Sequence, residues 1–230
     1  MSLDAVNAAI SSSDAVQVTL LEEKVLTLND QDEIIGTATK KESHAWTVIE
    51  KDGMLHRAFS LFLFSPDNKL LLQKRAAEKI TFPSLWTNSV CSHPLAGIGE
   101  EDGAEGVKKA AVRKAEHELG IADPAALSEK DMTFLTRMHY KASNGDGIWG
   151  EHEIDYILIA RSEVKLNPSA NEVSDVKYVT QDELRAILAD PSAVTPWFKL
   201  ICEAWLFTWW DALIADKLES CADRDTIHRL

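Results

Sequence analysis

The sequence predicts an α+β fold: a strand-rich body, helices packed outside it and a long helix at the C-terminus. Three observations carry this. Short apolar runs broken by turn residues recur from Val25 to Val179. One segment, 103–121, repeats its apolar residues at helical spacing. The last stretch is apolar and opens with a proline.

The elements follow in chain order. Residues 1–24 begin "MSLDAVNAAISSSDAVQ", small and polar, and are expected to form a mobile tail ahead of a single domain over 25–230. The first 17 residues hold Asp but no Lys or Arg, which excludes a secretory signal and a typical transit peptide. "EKVLTLND" and "QDEIIGTATK" read as a hairpin turned at Asn29-Asp30. "AFSLFLFSPDNKLLLQKR" reads as a second hairpin around Pro66-Asp67-Asn68. Val107, Ala111, Ala115 and Leu119 line one side of the 103–121 helix, which stops at Gly120. "DMTFLTRMHYKA" and "HEIDYILIA" are strands joined by the turn "SNGDG", and "VSDVKYV" is a further strand. "TQDE" opens a short helix as a capping box. "TPWFKLICEAWLFTWWDALIADKL" is the long terminal helix, whose Trp205, Trp209 and Trp210 are expected to pack on the body.

Composition narrows the function classes. The chain has 230 residues and a formal net charge of −13, which makes nucleic acid an improbable partner. No apolar run approaches the length of a membrane span. Three scattered cysteines, Cys91, Cys202 and Cys221, argue against a disulfide framework and for a reducing compartment. The cytoplasm is therefore expected, with the peroxisome as an alternative because His228-Arg229-Leu230 loosely matches an S-K-L address. A monomer is the default expectation.

The chemistry-bearing residues fall in a few places. In "TNSVCSHPL", Cys91 could be a buried thiol, half of a zinc clip or a reacting group. In "GEHEIDY", strand alternation puts Glu151, Glu153 and Asp155 on one side and His152 and Ile154 on the other. Two carboxylates so placed can grip one ion, or one can ligate while the other moves protons; a solvated strand face is the plain alternative. His44, His56 and His93 lie near strand ends or loops. Together with the two acids they would form a nitrogen/oxygen site suited to Mn²⁺, Zn²⁺ or Mg²⁺. An acidic chain that binds an anion must gather cations locally, and Lys40, Arg75, Lys79, Arg113 and Lys114 are the candidates.

Gly99, Glu105, Arg113, Glu118, Gly120 and Ile121 keep the register of the Nudix box, G-x5-E-x7-R-E-U-x-E-E-x-G-U, whereas Lys114 and His117 replace two of its acids. Fewer carboxylates hold fewer divalent ions. With "TNSVCSHP", "GEHEIDY" and "TPWF" in order, the chain from Val25 onward resembles the type I isopentenyl-diphosphate isomerases, enzymes of isoprenoid synthesis. That resemblance implies a Nudix-type fold, a mixed β-sheet body flanked by helices, and interconversion of isopentenyl and dimethylallyl diphosphate. A Nudix-type hydrolase of an organic diphosphate is the alternative.

Carried over by motif, Cys91 and Glu153 would be catalytic, Tyr140 would support the acid, and Trp197 would face the reacting carbons. Lys40, Arg75, Lys79, Arg113 and Lys114 would contact the diphosphate. His44, His56, His93, Glu151 and Glu153 would hold one divalent ion (Mn²⁺, Zn²⁺ or Mg²⁺). Glu118 would hold Mg²⁺ with the diphosphate. In this scheme Glu153 with Tyr140 supplies a proton and Cys91, as thiolate, removes one, with the roles alternating by direction.

Overall fold

Apolar runs with period two, and one with none, become the strands of a ten-stranded mixed sheet in the computed structural model, which describes residues 3–230. In chain order the elements are α1 (Leu3–Ile10), α2 (Ala15–Leu20), β1 (Lys24–Leu28), β2 (Ile34–Thr39), α3 (Lys40–His44), α4 (Trp46–Asp52), β3 (His56–Phe64) and β4 (Leu70–Arg75). They continue as β5 (Trp86–Thr87), β6 (Val90–Ser92), α5 (Gly103–Leu119), β7 (Thr133–Ser143), β8 (Gly150–Arg161), β9 (Val173–Val179) and α6 (Gln181–Leu188). The last are α7 (Pro196–Ile201), α8 (Phe207–Ile214) and β10 (Ile227–Arg229).

The main path of the sheet runs β10-β7-β8-β3-β1-β2. All nine residues of β3 are buried, because helices cover the sheet on both faces. Phe59, Leu61 and Leu63 meet Val107, Ala111, Ala115 and Leu119 of α5 on one side. Phe62 and Phe64 meet Trp197, Phe198, Ile201 and Trp210 on the other. The helical face expected on α5 is thus the buried one. Its end is also where expected: Gly120 has φ +69°, a left-handed conformation that terminates the helix.

Two pairings place the site. β3 and β8 run parallel, with His56 opposite Glu153. β6 runs antiparallel on the other flank of β3, with Cys91 opposite Ser60. A capping box between Thr39 and Glu42 starts α3 directly off β2 and brings His44 into its last turn.

Several expectations change. The 58–75 segment is not a paired hairpin, since β3 and β4 touch only at Phe64–Leu70. Beyond that turn β3 takes β8 and β6 as partners while β4 takes β5 and β9. The expected mobile tail is folded: Val6 and Leu21 are buried beside Ala45 and Trp149, and Asp14 caps α2. The first hairpin ends at Thr39, and Lys40 begins a helix. The terminal helix passes through a π-helical turn at Cys202–Leu206 and stops at Ile214, not Leu218. Trp209 and Trp210 are buried against the body as expected. Finally, His228 and Arg229 lie in β10, which pairs in parallel with β7. "TIHRL" is too short and polar to announce a strand.

Gly120 gives a stability test. A Cβ there would lie 2.5 Å from the Asn167 carbonyl oxygen, whereas at Gly97, also at positive φ, it would meet nothing within 4 Å. Gly97→Ala should lose only the left-handed penalty, about 1–2 kcal/mol, and Gly120→Ala clearly more. Thermal unfolding should place the Gly120→Ala midpoint several degrees below that of Gly97→Ala; equal midpoints would contradict the packing described.

Candidate active site

A cavity of about 730 Å³, mouth included, opens where β3, β6 and β8 meet α2, α3 and α5. Its wall holds Lys40, His44, Arg75, Lys79, Cys91, His93, Lys114, Glu118, Tyr140, Glu151, Glu153 and Trp197. Residues 150 apart in sequence therefore converge as the motifs implied. His56 stands behind the wall, joined to it through Glu153. Arg113 does not reach the cavity. Its guanidinium grips Glu100 at 2.7 and 2.8 Å and donates to the His93 carbonyl, so it braces the histidine loop instead.

The three imidazoles pack ring against ring, with centroids 4.7–4.9 Å apart. Their Nε2 atoms converge on one carboxylate oxygen, Glu153 Oε1, at 2.8 Å for His93, 3.1 Å for His56 and 3.9 Å for His44. Ligand atoms from all four side chains lie within 4.8 Å of one another, and all four residues are buried. The donor set fits a divalent ion. His44 Nδ1 meets the Lys40 carbonyl at 2.8 Å, which holds the proton there and leaves the Nε2 lone pair free. Burial, reinforced by the neighbouring imidazoles, pushes His44 well below the ordinary histidine range and His93 down to about 4, so both are neutral ligands at neutral pH. Among the described residues His56 Nδ1 and His93 Nδ1 are buried without a hydrogen-bond partner. Glu151 is not part of this four-membered group.

Glu151 is tied in through Tyr140. The phenol oxygen lies 2.7 Å from Glu151 Oε2 and 2.6 Å from Glu153 Oε2. A phenol carries one hydrogen, so two such contacts require that one carboxyl keep its own proton. Burial raises Glu151 well above the carboxylate range and the Glu153 charge adds to it, which puts the proton on Glu151. Burial opposes ionisation of Glu153 too, yet the His56 and His93 rings hold it well below that range. Asp155, third on this face, is raised by burial and accepts from Ser60 at 2.8 Å.

Across the cavity Cys91 lies 3.8 Å from an Arg75 guanidinium nitrogen. Burial nevertheless pushes its thiol up to about 12, against the pull of Arg75. The thiolate expected from sequence is therefore a thiol at rest. Arg75 is held by the Thr81 and Phe82 carbonyls and sits 5.7 Å from the centre of the Trp197 ring. Phe82 meets that indole edge-on at 5.4 Å.

The cations come with partners that sequence reading missed. Lys40 pairs with Glu23, Lys79 with Glu172 at 2.6 Å, and Lys114 with Glu118 at 3.1 Å. Gln17 of α2 donates to Glu172 at 3.0 Å, and Gln73 donates to Glu118 at 2.9 Å. Burial, aided by the Lys114 charge, lowers Lys40 to about 8. Burial also presses on Lys114, but Glu118 and Glu172 carry it above its ordinary value. No local signal marks Glu23, Glu172 or Gln17; only the fold brings them to the lysines.

Comparison with known proteins agrees with the fold and the motifs. Residues 54–198 match the NUDIX domain family. An isopentenyl-diphosphate delta-isomerase of Gibberella zeae is 53% identical over 217 residues, 92% of this chain and 85% of that protein. An isopentenyl-diphosphate delta-isomerase of Mus musculus is 49% identical over 227 residues, 96% of this chain and 97% of that one. The crystal structure of DR0079 from Deinococcus radiodurans superposes with a TM-score of 0.56 at 19% identity, covering 79% of this chain and 98% of that one, which bears on fold alone.

The neutral imidazoles give a pH test. Metal ligation needs unprotonated nitrogen, and with His93 protonating only near 4 and His44 also depressed, protons compete weakly above that pH. Calorimetric titration with Mn²⁺ should therefore show far less than a hundredfold loss of affinity between pH 7.5 and 5.5. Two imidazoles of ordinary pKa would by then cost roughly a hundredfold, and a loss of that size would contradict the burial.

Proposed function

This chain belongs to the NUDIX domain family and, within it, to the isopentenyl-diphosphate delta-isomerases, and on that premise we propose how its own residues interconvert isopentenyl and dimethylallyl diphosphate. The observation that carries the reading is the sharing of one cavity by a thiol, a carboxyl pair, an indole and several cations.

Shifting the double bond adds a proton to the terminal carbon and removes one from the carbon two bonds away. A tertiary carbocation stands between those events, and water would capture it. Cys91 holds its proton at rest, while Glu153 is the ionised member of the pair with Glu151. With this charge state the thiol donates and Glu153 accepts. One proton then passes through the substrate, leaving a thiolate next to Arg75 and two protonated carboxyls bridged by Tyr140. That second state is the one that runs the reaction in the other sense, with the carboxyl pair as acid and the sulfur as base. Protons balance in both directions.

Trp197 presents a buried indole to the same cavity. Its attraction to a desolvated cation is worth roughly 2 kcal/mol. It grows as the cation forms, so it lowers the barrier rather than tightening substrate binding. Lys40, Arg75, Lys79 and Lys114 face the diphosphate. Binding exchanges the anions Glu23 and Glu172 for phosphate oxygens as partners of the lysines. Glu118 is the residue placed to hold Mg²⁺ together with the diphosphate. His44, His56, His93 and Glu153 would hold a second divalent ion. Such ions supply positive charge that orients carboxylates and neutralises phosphate.

Cys91→Ala and Glu153→Gln should each lower isomerisation by about a thousandfold or more with thermal unfolding little changed. The assay uses isopentenyl diphosphate with Mg²⁺ and Mn²⁺ in heavy water. The parent protein should place deuterium in dimethylallyl diphosphate. Release of phosphate instead would mark a hydrolase, and near-parental turnover by either variant would remove that residue from the mechanism.

A further inference from the structure

Asn88 lies outside the cavity wall and is fully buried. Its amide makes four hydrogen bonds. Oδ1 accepts from Trp197 Nε1 at 3.0 Å and from Thr87 Oγ1 at 2.9 Å. Nδ2 donates to the Val90 carbonyl at 2.8 Å and the Leu61 carbonyl at 3.3 Å. Indole N–H only donates and a carbonyl only accepts, so the amide has a single possible orientation. The directions continue outward. Thr87 spends its one hydrogen on Asn88, so the 2.8 Å contact with Thr195 is a donation from Thr195. Thr195 stands two residues before Trp197, at the start of α7.

We propose that Asn88 is a positioning residue for the isomerisation, one amide that fixes the Trp197 indole plane and the Val90–Cys91 strand relative to each other. The proposal rests on the function given above. Isomerisation asks for two things at once: an aromatic face over the developing cation and a sulfur at the carbon that exchanges its proton. Those groups come from α7 and β6, more than 100 residues apart, and β6 is only three residues long. The amide is the shared anchor, since Val90 is the residue before Cys91 and Trp197 hangs from the opposite end. Of the cations that face the diphosphate, Lys40, Lys79 and Lys114 take no part in this network, and Arg75 meets it only at the Trp197 ring, 5.7 Å from its centre. Loss of the network should therefore be felt chiefly in kcat.

The experiment measures kcat and KM for isopentenyl diphosphate in the parent, Asn88→Ala, Trp197→Phe and the double variant. Indole N–H spectra of ¹⁵N-labelled protein, which has seven tryptophans, are recorded alongside. Asn88→Ala should lower kcat by about a hundredfold, the scale of a misplacement of about 1 Å, with KM within about threefold. Only the Trp197 indole signal should shift strongly and lose protection from hydrogen exchange. Trp197→Phe keeps a ring but no N–H, so the double variant should fall well short of the product of the two single losses. An Asn88→Ala enzyme with near-parental kcat, or losses that multiply fully, overturns the proposal. Should Asn88→Ala fail to fold, Asn88→Ser decides instead: kcat reduced at near-parental KM, with the Trp197 indole signal shifted, supports the anchor, and parental kcat overturns it. A parent without isomerase activity would instead overturn the function on which the proposal rests.

Discussion

The parallel pairing of β3 with β8 is the constraint on which the site depends. Parallel strands need a long crossover, and here 85 residues, 65–149, lie between the end of β3 at Phe64 and the start of β8 at Gly150, which leaves room for β6 and α5 to be placed beforehand. The register puts His56 opposite Glu153, so an imidazole from one strand and a carboxylate from the next meet without help from a loop. α3 delivers His44 and the loop after β6 delivers His93 to the same oxygen. A one-residue slip of β8 would turn Glu151, Glu153 and Asp155 to the opposite face and bring His152 in. Chemistry and register are in this sense one specification.

Burial then sets the charges. Glu151, Glu153 and Asp155 lie on one face of one strand and all are buried, so they cannot all ionise. The histidines select Glu153, Tyr140 links it to a protonated Glu151, and burial with the Glu153 charge favours a neutral Asp155 against the pull of the Ser60 hydrogen bond. Tyr140, 2.7 Å from Glu151 and 2.6 Å from Glu153, thus sets a proton-bearing neighbour beside the ionised carboxylate. A metal-binding carboxylate is a poor proton carrier on its own, because coordination favours its ionised form.

Much of this was legible in the sequence, and the unreadable part has a common cause. Gly120, the helical spacing of Val107 to Leu119 and the alternation of "EHEID" are local patterns, and they hold in the structure. Cys91, Glu153, Tyr140 and Trp197 could be named because short motifs carry them. Arg113 could not be judged, since its partner Glu100 sits in an irregular loop and only geometry shows that the pair is closed. Glu23, Glu172 and Gln17 have no motif for their roles, and Asn88, though inside "TNSVCSHP", carries no local sign of its partner Trp197; each matters by meeting a residue distant in the chain. The folded N-terminal helices escaped notice for a related reason. α1 and α2 are short, and they are held by contacts such as those of Val6 and Gln17 with the body rather than by their own propensity.

The same Nudix helix shows why a hydrolase fold can serve a proton shift. Hydrolysis of a diphosphate by this family's box relies on acids crowded on one helix face to hold several ions. Here Lys114 occupies one acid position and pairs with Glu118, donating also to His117 at the other altered position. Glu105, though in register, points outward to Lys108 at 2.9 Å. The helix therefore contributes a cation and a single cavity-facing acid, Glu118, where the box would place a cluster. That composition puts a cation on the cavity wall and adds little negative charge to gather metals. Cys91 and Glu153, the proton-transferring groups of the proposed reaction, stand on β6 and β8 instead, off the helix. In that proposal the two ends of one cavity have different tasks: α5 and the lysines would retain the leaving-group end intact, and the strands would handle the hydrocarbon. A substrate anchored at its phosphates would then present its double bond to Cys91 and Glu153 without exposing the phosphate ester to an activated water, which is the physical separation an isomerase built on this fold requires.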